Sequence, residues 1–392
     1  MKDVFIVGAA RTPMGGFQGV FRDLTAPELG AAAIQSALEG GHISVKAVDE
    51  VLMGCVLPAG LGQAPARQAA MGAGLSINVP CTTVNKVCGS GMKTAMLAFD
   101  QIRAGTSDVV VAGGMESMSN APYLSAKTRA GARLGHASLL DHMFTDGLED
   151  AYQTGTLMGV FAEQCAEAYQ FTRADQDAYA IASLNRSLSA DAEGHFGSEI
   201  SPVTLKTRKG ESVVTADEQP QSARPDKIPQ LKPAFKADGT VTAANSSSIS
   251  DGASAVVLAS AEQVAAHGFT PRARVCGHAT FAHAPDWFTT APIHAAKKLL
   301  DQLGWGADDV DLWEVNEAFA VVAMAFIRDM DLSHEKVNVH GGACALGHPI
   351  GASGSRILVT LLNALETHDQ RRGMAVICLG GGEATAVAIE RV

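Results

Sequence analysis

The chain has 392 residues, of which 47% are hydrophobic and 18% charged, and its formal net charge is −11. This length suits two or three domains with a large buried core, and an acidic chain without a basic stripe argues against nucleic acid as a partner. Its seven cysteines are irregularly spaced with no CxxC pair, which argues against a disulfide framework or zinc ribbon and favours a reducing compartment.

Short apolar runs alternate with alanine-rich helical patterns along the chain. This alternation predicts an α/β fold, and the nearly continuous apolar strands indicate a sheet covered by helices on both faces. Strands are predicted at 4–10, 49–57, 107–117, 254–260, 309–315 and 373–382, and helices at 26–38, after Cys88, and at 172–190, 318–330 and 355–366. Thr172 and Asp175 resemble a helix start.

No stretch has membrane-spanning length without charges, and the opening MKDVFIVGAARTPMG lacks a signal-peptide core, so a cytoplasmic location is expected.

The two ends of the chain share a pattern. CGSG (88–91) and PIGASG (349–354) each precede a helix, a buried strand, a Gly-Gly pair and an acidic residue. We interpret this as an internal duplication, although one sequence does not distinguish duplication from two uses of a common unit. Residues 119–250 hold irregular loops and are interpreted as an inserted domain. The predicted boundaries are 1–118 plus 251–270 for the first half, 119–250 for the insertion and 271–392 for the second half.

Cys88 lies just before the helical run MKTAMLAFDQIRAG and is surrounded by small residues. A thiol at a helix N-terminus meets unpaired N–H groups and the positive end of the macrodipole, which favour the thiolate. The alternative is a buried, inert cysteine, and this stretch alone does not decide between them.

The stretch HGGACALGHPIGASG (340–354) places His348 before Pro349, a residue favoured at helix starts. His340, Cys344 and His348 are spaced by four, which would suit metal ligands on a helix. The glycines make that helix poor, so a loop is favoured over a metal site. For a lone histidine, local capping or packing is the alternative to a functional role.

Two further stretches carry polar groups at strand ends. Cys378 ends an apolar strand before three glycines, whose N–H groups are free to face a ligand, the alternative being a tight turn with a core cysteine. Asn316 and Glu317 follow another strand, where open α/β sheets place their sites, although an N-cap asparagine is the simpler interpretation. Together, two thiols, an imidazole and a carboxamide at strand-to-helix turns indicate acyl transfer through a thioester, with backbone N–H groups and Asn316 stabilising oxyanions.

At these residues the sequence resembles the thiolase family. VNKVCGSGM, GGMESMSNAPY, NEAFA, NVHGGACALGHPIGASG and CLGGGEA match its motifs, as do AARTPMGGFQG and KPAFKADGTVTAANSSSISDGA (232–253), so that the resemblance extends along essentially the whole chain. It implies a five-layered α/β fold made of two duplicated βαβαβ-type halves with an inserted loop domain.

The resemblance also implies residue roles. Cys88 would be the acylated nucleophile, His348 its activator, and Cys378 the acid and base at the α-carbon. Asn316 would hold a water that forms one oxyanion hole with His348, and the N–H groups of Cys88 and Gly380 would form the other. The residues implied at the coenzyme A arm are Ser247, Met158, Phe235, Ala243, Ile249, Ala318, Phe319, Leu157 and Arg224.

The implied reaction is the reversible conversion of two acetyl-CoA to acetoacetyl-CoA and CoA, with no metal and no bound cofactor. Leu157 replaces a histidine usual in biosynthetic members and Phe161 replaces a threonine, so a degradative thiolase for longer or branched 3-ketoacyl-CoA is the alternative. Residues 124–143 match the assembly loop of tetrameric members, which implies a homotetramer formed as a dimer of dimers.

Three other classes fit less well. A 3-ketoacyl synthase would need two histidines around its cysteine, and a non-catalytic acyl-CoA or lipid carrier would have lost Cys88, His348 or Cys378. A nicotinamide dehydrogenase would need GxGxxG after the first strand, where this chain has AARTPMGG.

Overall fold

A mixed sheet of ten strands organises the computed structural model, which describes residues 2–207 and 210–392. The strands are β1 (Val4–Arg11), β2 (Gly15–Gly16), β3 (Glu50–Gly54), β4 (Cys81–Val84), β5 (Val109–Ser117), β6 (Tyr123–Leu124), β7 (Leu140–Asp141), β8 (Val203–Thr207), β9 (Gly210–Val214), β10 (Ser250–Ser260), β11 (Ala273–Ala282), β12 (Leu312–Val315), β13 (Arg372–Leu379) and β14 (Glu383–Arg391). The helices are α1 (Ala26–Gly40), α2 (Pro65–Gly72), α3 (Ser90–Ala104), α4 (Met158–Tyr169), α5 (Arg173–Ala192), α6 (Glu218–Ser222), α7 (Ala261–His267), α8 (Ala291–Leu303), α9 (Ala320–Asp329), α10 (Ala343–Leu346) and α11 (Ile350–Thr367).

The sheet repeats one strand order in each half of the chain. In the first half the order is β4-β3-β5-β10-β1, with β3 parallel to β4 and β5, and β10 antiparallel to β5 and β1. In the second half the order is β12-β13-β14-β11, with β12 parallel to β13 and β14 antiparallel to β13 and β11. A parallel bridge between Trp313 and Val337 occupies the place of β4. The halves join through a short antiparallel contact of β1 with β11, and the repeated order confirms the predicted duplication.

Helices and sheets alternate in five layers. Helices α1 and α2 cover the outer face of the first-half sheet, and α8 covers the outer face of the second-half sheet. Helices α3 and α11 contact each other between the sheets, where α11 packs on β5 and β10 on one side and on β12 and β13 on the other. Their apolar side chains fill the central core with those of both sheets. The predicted five-layered α/β fold is therefore confirmed.

The two predicted small-residue turns are the first turns of these central helices. Helix α3 begins at Ser90 and α11 at Ile350, so that Gly91 and Gly354 are helical. A Cβ on Gly354 would lie 2.4 Å from the Met92 backbone nitrogen, and one on Gly91 would lie 2.5 Å from Ser355 Oγ. These glycines serve the close contact of two buried helices, and not a loop as the sequence suggested.

All six predicted strands and the five predicted helices are present, and a capping box of Thr172 and Asp175 begins α5. Strands β4, β11 and β14 were not predicted. Strand β4 is only four residues long and partly exposed, and β11 carries a register shift between Val275 and Gly277, which interrupts its alternation. The stretch 340–347 was expected to be a loop, but Ala343–Leu346 forms a short helix between glycines.

The segment 119–250 packs across both halves. Phe161 and Cys165 of α4 join the second-half core, whereas Val203 of β8 joins the first-half core. The exact boundaries 119 and 250 stay a prediction. In the part of the chain that the structure describes, no helix is long and apolar enough to cross a membrane.

Candidate active site

A cavity of about 670 Å³ opens where the two halves meet the inserted segment. Its walls are mostly apolar, and its size suits a small-molecule site. Among the sequence-predicted residues, the walls contain Cys88, Leu157, Met158, Phe235, Ala243, Ser247, Ile249, Ala318, Phe319, His348, Cys378 and Gly380. The fold thus brings twelve of the fourteen predicted site residues to one cavity; the other two are Asn316 and Arg224.

A strained turn directs Cys88 into this cavity. Val87 has a φ of 46°, a left-handed conformation that costs a β-branched residue about 1–3 kcal/mol. Ser90 Oγ accepts the Lys86 N–H at 2.8 Å and donates to the Val87 carbonyl at 2.6 Å, which closes the turn. The Lys86 ammonium pairs with Glu383 at the start of β14. The turn is therefore fixed to both halves of the molecule.

The Cys88 thiol is neutral at neutral pH. Burial raises its pKa to about 11, and the nearby backbone N–H groups of Gly380 and of Cys88 itself oppose this rise. The expectation of a thiolate stabilised by the helix N-terminus is thus wrong, because desolvation outweighs the favourable N–H groups. The nucleophile needs a base to accept its proton.

His348 has the protonation state and tautomer that such a base requires. Its Nδ1 lies 2.5 Å from Ser353 Oγ, which itself donates to the Pro349 carbonyl at 2.9 Å. The serine oxygen therefore accepts the Nδ1–H, and the lone pair stays on Nε2, which has no hydrogen-bond partner among the described residues. Burial and the nearby Arg356 charge lower the pKa of His348 to about 3, so the imidazole is neutral.

Cys378 lies buried at the end of β13, beside the tight turn to β14. Its pKa is raised well above the ordinary value by burial and by the nearby Cys88 sulfur. Gly381 and Gly382 have φ values of 86° and 81°, and a Cβ on Gly382 would lie 2.5 Å from the His283 carbonyl oxygen. This turn places the Gly380 N–H near the Cys88 sulfur, and both thiols and Gly380 line the same cavity.

Asn316 is buried and does not line the cavity. Its N–H donates to the Val376 carbonyl at 2.9 Å, but neither atom of its side-chain amide has a partner among the described residues. A buried amide without partners is unfavourable, which fits the implied role of holding a water. It is not an N-cap, because α9 begins at Ala320 and Phe319 occupies the cap position.

Glu317 anchors the loop that carries Asn316. Its carboxylate accepts hydrogen bonds from Tyr179 Oη at 2.9 Å, Ser183 Oγ at 2.8 Å, Asn338 Nδ2 at 2.9 Å and the Cys344 N–H at 3.0 Å. The donors come from α5 in the insertion, from the loop before α10 and from α10 itself. Sequence analysis singled out this residue without a role, and its position in NEAFA was the available signal.

Glu116 was missed by the sequence analysis, although it lies in the quoted motif GGMESMSNAPY. Its buried carboxylate accepts the N–H groups of Val56, Leu57 and Gly351 at 3.0, 3.1 and 2.9 Å. Burial nevertheless raises its pKa to about 7. Glu116 therefore fixes the start of α11, close to His348, against the loop after β3.

Aromatic side chains form one wall of the cavity. Phe235 meets Phe319 edge-on with ring centroids 5.9 Å apart, and Phe288 packs against Phe319 at 6.3 Å. The Ser247 hydroxyl donates to the Ala318 carbonyl at 2.9 Å, which joins the insertion to the loop after β12. Large apolar lining residues to which the sequence analysis gave no role include Phe17, Phe144, Leu148, Phe288 and Ile350.

The two positions that depart from the family pattern differ in their surroundings. Leu157 lines the cavity, whereas Phe161 is buried in the second-half core and does not line it.

Arg224 is exposed and lies outside the cavity lining. Among the described residues, no lysine or arginine lines the cavity, which therefore suits an uncharged chain and not a phosphate.

Comparison with known proteins gives the family. The model of the thiolase N-terminal domain matches residues 4–262, and that of the thiolase C-terminal domain matches residues 269–391. The chain belongs to the thiolase family.

Relatives match this thiolase over its whole length. An acetyl-CoA acetyltransferase of Schizosaccharomyces pombe is 49% identical over 392 residues, which cover 100% of this chain and 99% of that protein. An acetyl-CoA acetyltransferase of Pseudomonas aeruginosa is 47% identical over 393 residues, which cover 100% of this chain and 100% of that protein. The Acat5 thiolase of Ascaris suum, solved in complex with coenzyme A, superposes with a TM-score of 0.94 at 42% identity, with both chains covered completely.

The proton path from Cys88 to His348 in this thiolase gives a first prediction. At pH 7, His348→Ala is expected to lower the rate of Cys88 alkylation by iodoacetamide, because the imidazole no longer accepts the thiol proton. The residual rate should then rise about tenfold per pH unit towards the thiol pKa. Ser353→Ala is expected to cause a smaller loss, of about tenfold, because the hydrogen bond that selects the tautomer is removed.

Mass spectrometry of the alkylated peptide measures these rates. Ser355→Ala is the matched control, since Ser355 is a buried serine of the same helix that hydrogen-bonds Ser254 and the Ala352 carbonyl. Equal labelling of wild type and His348→Ala would exclude His348 as the base.

Proposed function

We propose that this thiolase is an acetyl-CoA C-acetyltransferase, which interconverts two acetyl-CoA with acetoacetyl-CoA and CoA through an acetyl-Cys88 thioester. The observation that carries the proposal is the arrangement of Cys88, Cys378 and the free Nε2 of the neutral His348 around one apolar cavity. The acetyl-CoA acetyltransferase names of full-length relatives support the substrate.

In the cleavage direction, His348 Nε2 takes the proton of the Cys88 thiol, and the sulfur attacks the keto carbon of acetoacetyl-CoA. The N–H groups of Cys88 and Gly380, which lie near the sulfur, stabilise the oxyanion that forms beside it. The carbon–carbon bond then breaks, its electron pair moves to the α-carbon, and Cys378 protonates that carbon. Acetyl-CoA leaves, and acetyl-Cys88 remains with a Cys378 thiolate and a protonated His348.

The second half-reaction returns both protons to the enzyme. The CoA thiol gives its proton to the Cys378 thiolate and attacks the acetyl group on Cys88. The oxyanion of this step forms on the same acetyl oxygen and is stabilised again by the N–H groups of Cys88 and Gly380, whereas a water held on Asn316, together with His348, stabilises the enolate of the departing acetyl-CoA in the first half-reaction. Cys88 then leaves as the thiolate and takes back the proton of His348, and the second acetyl-CoA is released. The condensation direction reverses these steps, with Cys378 removing the α-proton.

The reaction uses coenzyme A thioesters as substrates and, in this proposal, no bound cofactor or metal. The pantetheine arm occupies the mostly apolar cavity along Ser247, Met158 and Phe235, whereas the CoA phosphates stay outside it. The exposed Arg224 is proposed to contact those phosphates. This division is supported by the cavity lining, which contains no lysine or arginine among the described residues.

Thiolysis of 3-ketoacyl-CoAs from four carbons upward, in one steady-state series, tests the proposal. We expect acetoacetyl-CoA to give the highest kcat/KM, with longer chains falling away. The second candidate, a degradative thiolase for longer chains, is favoured by Leu157, whose apolar side chain lines the cavity. Higher kcat/KM for longer chains would establish that candidate, whereas no thiolysis of any chain would contradict both.

We also propose a homotetramer, assembled through residues 124–143. This segment exposes Leu134, Leu139 and Leu140, and the neighbouring Tyr123 pairs with its end in the β6–β7 hairpin. Light scattering should give four chains per particle, and a stable dimer at all working concentrations would contradict this assembly. A cytoplasmic location is proposed as well, supported by the seven free cysteines, and the proposed activity on short acyl-CoA thioesters suggests a role in fatty acid metabolism.

A further inference from the structure

Three histidines from distant parts of the sequence meet outside the catalytic cavity. His195 lies in the turn after α5, His340 in the loop before α10, and His368 at the C-terminal end of α11. Each offers a ring nitrogen, and these atoms all lie within 4.8 Å of one another. Nε2 of His340 is 3.0 Å from Nε2 of His368. No spacing rule in the sequence connects the three positions.

One ring nitrogen of the cluster, Nδ1 of His340, is buried without a hydrogen-bond partner among the described residues. The Glu193 carboxylate lies 3.4 Å from Nε2 of His195. Metal-binding imidazoles are usually oriented by such a neighbouring carboxylate.

We propose that His195, His340 and His368 bind one divalent transition-metal ion, such as Zn²⁺, with the fourth position open to solvent. Zinc–nitrogen bonds of about 2.0–2.1 Å at tetrahedral angles place neighbouring nitrogens about 3.3 Å apart. The separation of 3.0 Å between His340 and His368 is close to this value. The exposed His368 gives the ion a path from solvent.

The ion would have a structural role. It connects the C-terminal end of α11, a helix that begins directly after His348 and Pro349, to the turn after α5 and to the loop before α10. It takes no part in acyl transfer, since none of the three histidines lines the catalytic cavity. This departs from the sequence-based expectation that the chain binds no metal.

Cobalt titration of tag-free, chelator-treated protein tests the proposal. We expect one Co²⁺ per chain with visible absorption bands of a low-symmetry site, displacement by Zn²⁺, and a higher melting temperature with either ion. His368→Gln and His195→Gln are expected to weaken binding at least about tenfold. His136→Gln, which changes an exposed histidine in the segment 124–143, is the matched control and should bind like wild type.

The catalytic thiols and His348 are the competing metal site, so the titration is repeated after Cys88 has been alkylated with iodoacetamide. Stoichiometric binding that survives alkylation and is lost in His368→Gln supports the three-histidine site. Absence of stoichiometric binding in wild type overturns the proposal, as does binding that His368→Gln leaves unchanged. In the latter outcome, loss on alkylation would assign the ion to the catalytic cavity.

Discussion

Cys88→Ala is expected to abolish both thiolysis and the formation of an acetyl-enzyme, with kcat reduced at least about 10⁴-fold. No other thiol has the same surroundings, because among the seven cysteines only Cys88 both lines the cavity and lies just before a central helix. Incubation with acetyl-CoA followed by mass spectrometry of the intact chain measures acetylation, and a coupled thiolysis assay measures turnover.

Cys276→Ala is the matched control for this variant. Cys276 is a half-buried cysteine of β11 that does not line the cavity, so both acetylation and turnover should match those of wild type. Melting temperatures of the two variants establish that both are folded. Stoichiometric acetylation of Cys88→Ala on another residue would show that Cys88 is not the nucleophile.

Cys378→Ala is expected to separate the two halves of the reaction. Acetyl transfer from acetyl-CoA to Cys88 and on to isotopically labelled CoA should continue at a reduced rate, because the CoA thiol can exchange its proton with water when Cys378 is absent, whereas the α-carbon loses its proton donor and acceptor. Condensation and thiolysis should fall about 10²–10⁴-fold, the usual contribution of a general acid or base. The raised pKa of Cys378 keeps its proton at neutral pH, which suits the donor required for cleavage.

The rates of CoA exchange and of acetoacetyl-CoA thiolysis are measured in the same preparation. The ratio of exchange to thiolysis should be higher in the variant than in wild type if Cys378 acts at the α-carbon. Cys378→Ser keeps the size of the side chain in the buried end of β13, but its hydroxyl is a much weaker acid, so it should show the same separation. Equal losses of exchange and thiolysis in both variants would indicate damage to the Cys88 turn. Wild-type thiolysis in either variant would contradict the two-thiol assignment.

The sequence predicted the parts of the site that depend on local pattern. Cys88 and His348 were placed before helices, and Cys378 at a strand end, because helix starts and apolar runs are encoded in a few neighbouring residues. The pKa of Cys88 was predicted in the wrong direction, because burial depends on residues far away in the chain. The tautomer of His348 depends on Ser353, whose hydroxyl orientation became evident only with its bond to the Pro349 carbonyl.

Tertiary contacts also explain the remaining differences. Gly91 and Gly354 indicate a turn when considered alone, but the contact between α3 and α11 requires their small size within helices. Asn316 suits a helix cap by sequence, yet its helix begins four residues later. The cluster of His195, His340 and His368 arises from folding and leaves no periodic trace in the sequence.

The origin of the cavity walls has an evolutionary consequence. The reacting groups Cys88 and Cys378 lie on the duplicated halves, whereas Leu157, Met158 and Phe235 belong to the inserted segment. Substitutions in the insertion therefore change the shape offered to the acyl chain without moving the nucleophile or its proton acceptor. Mutations in the inserted segment can therefore change substrate preference during evolution, while selection keeps the reacting groups on the two duplicated halves unchanged.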